Sequence, residues 1–261
     1  MLSVRELRIA GRRADLVAPT SFDAPTGLLT LVQANGQDAR TALALAASGR
    51  YAPDAGAATW GAATGHARKS LKALRRASAL VDAPGINEAE RHLSVRGLVA
   101  EDLALLPRRH RRQSPDAWLT VHAFEDVANV WAHELPAHRR VELLTELALA
   151  DPAVRLLVVD TPDRHSDLTE DWLPRLAALA ANPGRELAVL AIVAEVPAGW
   201  EGEVAVVGNV TQTAEVQPAE GQTAEAQPAG AEPTETNDGA DAPPAAPAPA
   251  AGVREREEAR A

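Results

Sequence analysis

Residues Leu28–Val32 form an apolar run that empties into a polar loop, and the loop leads into a helix expected to open at about Arg40, with Leu43, Leu45 and Ala46 on its apolar side. A strand that hands over to a helix through so short a loop restricts the chain to an α/β architecture. The second half repeats the theme. Val154–Val159, Leu187–Val193 and Val204–Val207 are apolar runs of strand length, of the kind expected for strands buried on both faces. Between them lie helical segments at 138–150, with Val141, Leu144, Leu147 and Ala148 at helical spacing, and at 169–181. Alternation of strand and helix predicts a mainly parallel sheet.

Other segments complete the outline. Residues 2–9 and 14–23 read as short strands, Thr59-Trp60 ends another after a turn at Pro53–Gly56, and Ala77–Val81 is strand-like. Residues 67–76 are basic and fit a short helix or a loop. From Leu93 to His133 the pattern is helical but less regular, with breaks expected at Pro107 and Pro115, so that about 93–140 reads as an inserted helical region. Residues 1–210 are expected to form one domain. Beyond them seven prolines fall in the last 51 residues among Ala, Glu, Gln and Thr, and QTAEVQPAEG is followed by the near repeat QTAEAQPAGA. Such a segment has too few large apolar groups to offset chain entropy, so a disordered tail is expected over 211–261.

Composition removes several functions. Cysteine is absent, which excludes a disulfide framework and cysteine metal sites. The net charge is −10, and the tail alone carries ten acids against three arginines, so the remaining body is nearly balanced and offers no general surface for nucleic acid. The cluster Arg108-Arg109-His110-Arg111-Arg112 reads as a solvated loop. No apolar stretch reaches the length of a membrane span, and MLSVRELRIAGRR lacks a continuous apolar core of the secretory type, so a cytoplasmic protein, soluble or peripherally held, is expected. The seven histidines show no metal-ligand spacing, and Asp160, Asp163 and Asp167 read as a polar strand-end loop.

Strand, loop and helix in this order are the setting of a phosphate-binding P-loop, in which backbone N–H groups at a helix N-terminus face an anion. The candidate loop is Asn35, Gly36, Gln37, Asp38, Ala39, Arg40 and Thr41. A P-loop also uses a Lys for the phosphates and a Ser or Thr hydroxyl for Mg²⁺. Arg40-Thr41 stand in that order, with Ala39 where a glycine belongs and Asp38 adding a carboxylate that opposes an anion. The same residues also fit a plain strand–turn–helix with Asn35-Gly36 as its turn.

The chain resembles the ATP-binding cassette of ABC transporters over about residues 2–210. Leu31-Val32 and Asn35-Gly36 match the start of that family's nucleotide loop, Arg40-Thr41 replace its Lys-Ser/Thr, and Ser48-Gly49 with Pro53-Asp54-Ala55-Gly56 match the segment that follows. The two halves of the match differ in register by one residue, which places an extra residue near Gln37-Asp38. LLVVDTP at 156–162 resembles the second motif, four apolar residues and Asp-Glu-Pro. The resemblance implies a P-loop NTPase-like fold of ABC ATPase type. It further implies ATP and Mg²⁺ as ligands, with the Thr41 hydroxyl on the metal and Asp160 holding it through water, a separate membrane-spanning subunit as partner, and pairing with a like or unlike cassette at the inner face of the membrane.

Several positions depart from the family pattern. Thr161 stands in place of the glutamate that polarises the attacking water, Leu135-Pro136-Ala137-His138-Arg139-Arg140-Val141 replaces the glycine-rich signature, Asp82-Ala83-Pro84-Gly85 lacks the loop glutamine, Ala194-Glu195 lacks the switch histidine, and Ala10 replaces the aromatic that stacks on adenine. Leu93-Ser94-Val95 resembles the Leu-Thr-Val after the glutamine loop. A degenerate member with weak or no hydrolysis is the expectation. Three alternatives stay open: a non-hydrolysing nucleotide sensor or scaffold, a working ATPase whose catalytic groups come from elsewhere, and an interaction module that binds no nucleotide.

Overall fold

The computed structural model describes residues 1–61, 67–111 and 113–210. The tail expected over 211–261 and Arg112 of the basic cluster lie outside the described residues. Two sheets carry the fold. The smaller is antiparallel, with β1 (Leu2–Ala10) between β2 (Asp15–Ala24) and β4 (Ala55–Trp60). The larger is wholly parallel, built from β3 (Leu29–Gln33), β5 (Ser78–Val81), β6 (Leu156–Asp160), β7 (Ala188–Val193) and β8 (Glu203–Val206), in the order β5-β6-β7-β3-β8. The parallel sheet expected from the apolar runs is therefore present.

Strand alternation divides the parallel sheet between two cores. Val32, Leu156, Val158, Ala188, Leu190 and Ile192 face one core, shared with the antiparallel sheet and with α1 (Gln37–Ala47). Leu29, Leu31, Leu157, Val159, Val189, Ala191 and Val193 face the other, against α6 (Leu173–Ala180). Because both faces are covered at β3, β6 and β7, polar alternation is absent from these strands, as burial on two sides requires. β8 departs from the expectation, because as an edge strand it buries only Ala205 and leaves Val204 and Val206 exposed.

The helical region has a third core. It comprises α3 (Val95–Leu105), α4 (Pro115–Val121) and the segment around Phe124 and Ala132, packed on Leu143 and Leu147 of α5 (Ala137–Ala148). The same α5 places Val141 in the core under the parallel sheet, so one helix serves both units. Pro107 does end α3, but Pro115 begins a helix instead of breaking one. Ser114 accepts a hydrogen bond from the Ala117 N–H at 3.2 Å, and proline in the first turn lacks only a donor that would be unpaired there. Ser94 caps α3 in the same way through the Gly97 N–H. The basic residues 67–77 form helix α2 (Ala67–Ala77). The helix expected at 169–181 is shorter, with a single 3-10 turn at Thr169–Asp171 before α6.

Candidate nucleotide site

The candidate loop is shorter than its sequence suggests. After β3, only Ala34–Gly36 connect to α1, which opens at Gln37 and not at Arg40. Gly36 makes this possible, because its φ of 80° is a conformation that other residues rarely adopt. The Arg40 N–H already bonds to the Gly36 carbonyl at 3.2 Å, in the i to i−4 pattern of a helix. Gln37 and Asp38, where the sequence register splits, both lie in the first helical turn. Ala39 consequently lies inside the helix with its side chain buried, so its Cβ packs into the core. Asp38 is exposed in the first turn, where a carboxylate favours the helix dipole and competes with an anion. Asn35 is exposed at the loop tip. Gly36 supplies no side-chain cap to the N-terminus of α1.

The strand end and the helix start meet at one polar cluster. The Thr41 hydroxyl donates to Asp160 Oδ2 at 2.6 Å, and the Thr161 hydroxyl donates to Asp160 Oδ1 at 2.6 Å. Both oxygens of this fully buried carboxylate are therefore engaged, as a buried charge requires. Thr161 holds its place in a left-handed conformation, φ 52° and ψ 60°, which is unfavourable for a β-branched residue. Its N–H bonds to the Ile192 carbonyl at 2.8 Å, which ties the bend to the neighbouring strand. Gln37 lies over the cluster. Its Nε2 is 3.1 Å from Thr41 Oγ1, 3.3 Å from Asp160 Oδ1 and 3.1 Å from Thr161 Oγ1. Arg40 curls back on the loop, donating from Nε to Thr161 Oγ1, from Nη1 to the Ala34 carbonyl and from Nη2 to Gln37 Oε1, at 3.0–3.1 Å.

Thr41 and Asp160 thus stand together, as the resemblance implies. They are the donor types that Mg²⁺ prefers. As placed, however, they do not fit a cation, because both carboxylate oxygens accept hydroxyl protons and the Gln37 amide sits among the oxygens.

The other expected positions are taken up internally. Arg140, in the first turn of α5, forms a two-pronged hydrogen bond to Asp82 at the end of β5. Arg164 and His165 approach the same carboxylate at 2.9 and 2.8 Å. Burial opposes the charge on Asp82, but hydrogen bonds from His165 and Arg140 and the charges of Arg140 and Arg164 prevail and hold its pKa well below the usual carboxylate range. Arg139 bonds to Glu142 and to the Ala123 carbonyl and lies over the Phe124 ring. Neither arginine of α5 is left for a ligand. Glu195, after β7, is exposed, and the Ala194 N–H bonds to Asp163 Oδ2 at 2.8 Å. Ala10 is exposed at the end of β1.

Two relationships escape a reading of the sequence. Gln37 belongs to the candidate loop, but nothing in its neighbours shows that it reaches Asp160, 123 positions away. The pairing of Asp82 with Arg140 spans 58 positions and leaves no periodic trace.

This arrangement of sheets, with a P-loop-like turn between β3 and α1, is the fold of the ATP-binding subunits of ABC transporters. The chain superposes on a structure described as the ATP-binding subunit of an ABC transporter with a TM-score of 0.56 and 15 % identity, covering 80 % of this chain and 86 % of the other. It superposes on cbiO1 from Clostridium perfringens, part of the ABC transporter complex cbiONQ, with a TM-score of 0.55 and 16 % identity, covering 74 % and 78 %. With the ATP-binding cassette MJ0796, a dimer bound to ADP and Pi, the TM-score is 0.58 at 14 % identity, covering 79 % and 94 %. No protein-family model matches the sequence, and no curated protein matches it.

Proposed function

We propose that the chain is the nucleotide-binding subunit of an ABC-type membrane transport complex, a degenerate cassette that binds ATP weakly and hydrolyses it slowly or not at all. The observation that carries this reading is the 2.6 Å hydrogen bond between Thr41 and Asp160, which joins the start of α1 to the end of β6 beside an uncapped helix N-terminus. That N-terminus and the Arg40 guanidinium supply attraction for phosphate. Thr161 occupies the place of a general base but is a very poor base at neutral pH, and losing such help typically costs about 10²–10⁴-fold in rate.

Among the described residues no helix is long and apolar enough to cross a membrane, so the reading assigns the membrane-spanning part to a separate polypeptide and the chain to its cytoplasmic face. The similar structures include a dimer and a member of a multi-subunit complex, which supports pairing with a second cassette, like or unlike. An intact partner could then supply the working site.

A second reading is favoured by a specific observation. With Thr161 buried and fully engaged with Asp160, Gln37 and Arg40, the site suits a nucleotide sensor or scaffold that regulates its partner without turnover. Titration of labelled ATP against the purified chain, followed by a phosphate-release assay, separates the readings. Binding with turnover supports a working cassette, binding without turnover supports the sensor, and absence of binding leaves an interaction module.

A further inference from the structure

The Gln37 carboxamide lies among the oxygens that a cation would need. Its Nε2 faces Thr41 Oγ1, Asp160 Oδ1 and Thr161 Oγ1 at 3.1, 3.3 and 3.1 Å. An amide nitrogen carries two hydrogens, so three acceptors share two donors around one point. These are hydrogen-bond distances. Mg²⁺ holds its oxygens at about 2.0–2.1 Å in an octahedron. The three oxygens thus converge on a neutral donor, and a cation among them, held directly or through water, would have to displace the Gln37 amide.

The charge balance agrees. Arg40 donates to Gln37 Oε1 at 3.1 Å and to Thr161 Oγ1 at 3.1 Å, and is anchored by the Ala34 carbonyl at 3.0 Å. Its fixed positive charge reaches the buried Asp160 carboxylate through one amide and one hydroxyl. A dication arriving with the triphosphate would have to displace an amide that Arg40 already holds by its carbonyl end. The two hydroxyls, each 2.6 Å from a different oxygen of Asp160, would also have to let go.

We infer that Gln37, backed by Arg40, takes the place of the divalent cation, so that this chain binds a nucleoside triphosphate without metal. The inference rests on the nucleotide reading of the site. It turns a cation-gated site into one gated by a side chain: phosphate is met by the N-terminus of α1 and by Arg40, while Asp160 serves to hold Thr41, Thr161 and Gln37 in position.

The test is equilibrium binding of ATP to the full chain, by calorimetry, in Mg²⁺ and in EDTA, for the wild type and for Gln37→Ala. In the wild type Mg²⁺ is expected to leave the affinity unchanged or to weaken it, because it sequesters the free anion. Gln37→Ala opens the three oxygens, and Mg²⁺ is then expected to tighten ATP binding by about tenfold or more. With Mn²⁺ in place of Mg²⁺, electron paramagnetic resonance should show a protein-held ion in the presence of ATP only for the variant. Tightening of wild-type binding by Mg²⁺ by about tenfold overturns this inference and leaves the nucleotide reading intact. Absence of ATP binding to either protein, with or without metal, overturns the nucleotide reading itself. The wild-type comparison needs no variant, so a Gln37→Ala protein that fails to fold does not spare the inference.

Discussion

Arg140 grips Asp82 with two parallel hydrogen bonds, Nε to Oδ2 at 3.0 Å and Nη2 to Oδ1 at 2.8 Å, and both side chains are almost out of solvent, at 6 % and 8 % exposure. The pair fastens the first turn of α5 to the end of β5. Since α5 also contributes Leu143 and Leu147 to the helical region, the bond clamps that region to the parallel sheet. Breaking a buried ion pair from one side leaves an uncompensated charge, so Asp82→Ala should lower unfolding stability by about 3–5 kcal/mol, measured by urea denaturation. Asp82→Ala combined with Arg140→Met should recover part of the loss. A single variant as stable as the wild type would show that the clamp is not formed.

The same carboxylate gives a pH dependence. Its pKa in the folded protein lies below its unfolded value, so its contribution is fully present above the unfolded carboxylate pKa of about 3.9 and is lost as pH falls further. Acid should therefore erode the stability of the wild type more steeply below about pH 4 than that of the Asp82→Ala, Arg140→Met protein. Parallel curves for the two proteins would contradict this.

Asp102, on α3, shifts the other way. Burial first, and the neighbouring Glu101 charge second, raise its pKa to about 6. An acid whose folded pKa is raised weakens the fold as pH climbs from the unfolded value through the folded one, because only the folded state resists ionisation. Asp102→Asn is thus expected to raise the melting temperature at neutral pH and to leave it unchanged at about pH 4, as read by thermal unfolding at the two pH values. An equal effect at both would assign the change to packing instead of charge.

Much of this fold is legible in the sequence because it follows from period and burial. The apolar runs at 154–159 and 187–193 announce strands covered on both faces, and LLVVDTP locates Asp160 at a strand end. The start of α1 is not legible. A register of matched residues counts positions, whereas the start of α1 is set by where the chain turns, at Gly36. Pro115 misleads for a similar reason, since the same residue ends a helix or begins one depending on whether a cap such as Ser114 precedes it. The contacts of Gln37 and Arg140 depend on which strand lies beside which, and that order is a property of the folded sheet.

Arg40 is the cation of the candidate loop, and Asp38 is the exposed carboxylate beside it. Arg40→Ala should weaken ATP binding by about 1–3 kcal/mol, the range for a lost hydrogen bond to a charged group. Asp38→Asn, which keeps a side chain suited to a helix start, should strengthen it. Both affinities can be read by the same calorimetric titration, and two unchanged values would mean that phosphate does not meet this loop.

Phosphate release from ATP by the isolated chain is expected to stay near background. Asp160→Asn should scarcely alter that rate, while lowering stability by about 1.5–3 kcal/mol through loss of the carboxylate that accepts from Thr41 and Thr161. A wild-type turnover of around one per second or faster, abolished by Asp160→Asn, would show a functional catalytic site.

Where nucleotide binds is the central claim, and amide hydrogen exchange measured with and without ATP addresses it most directly. Slower exchange is expected in peptides covering Ala34–Thr41 and Val159–Pro162, with the rest of the parallel sheet unchanged. Protection confined to other segments, or no protection at saturating ATP, would contradict the assignment of this loop as the nucleotide site.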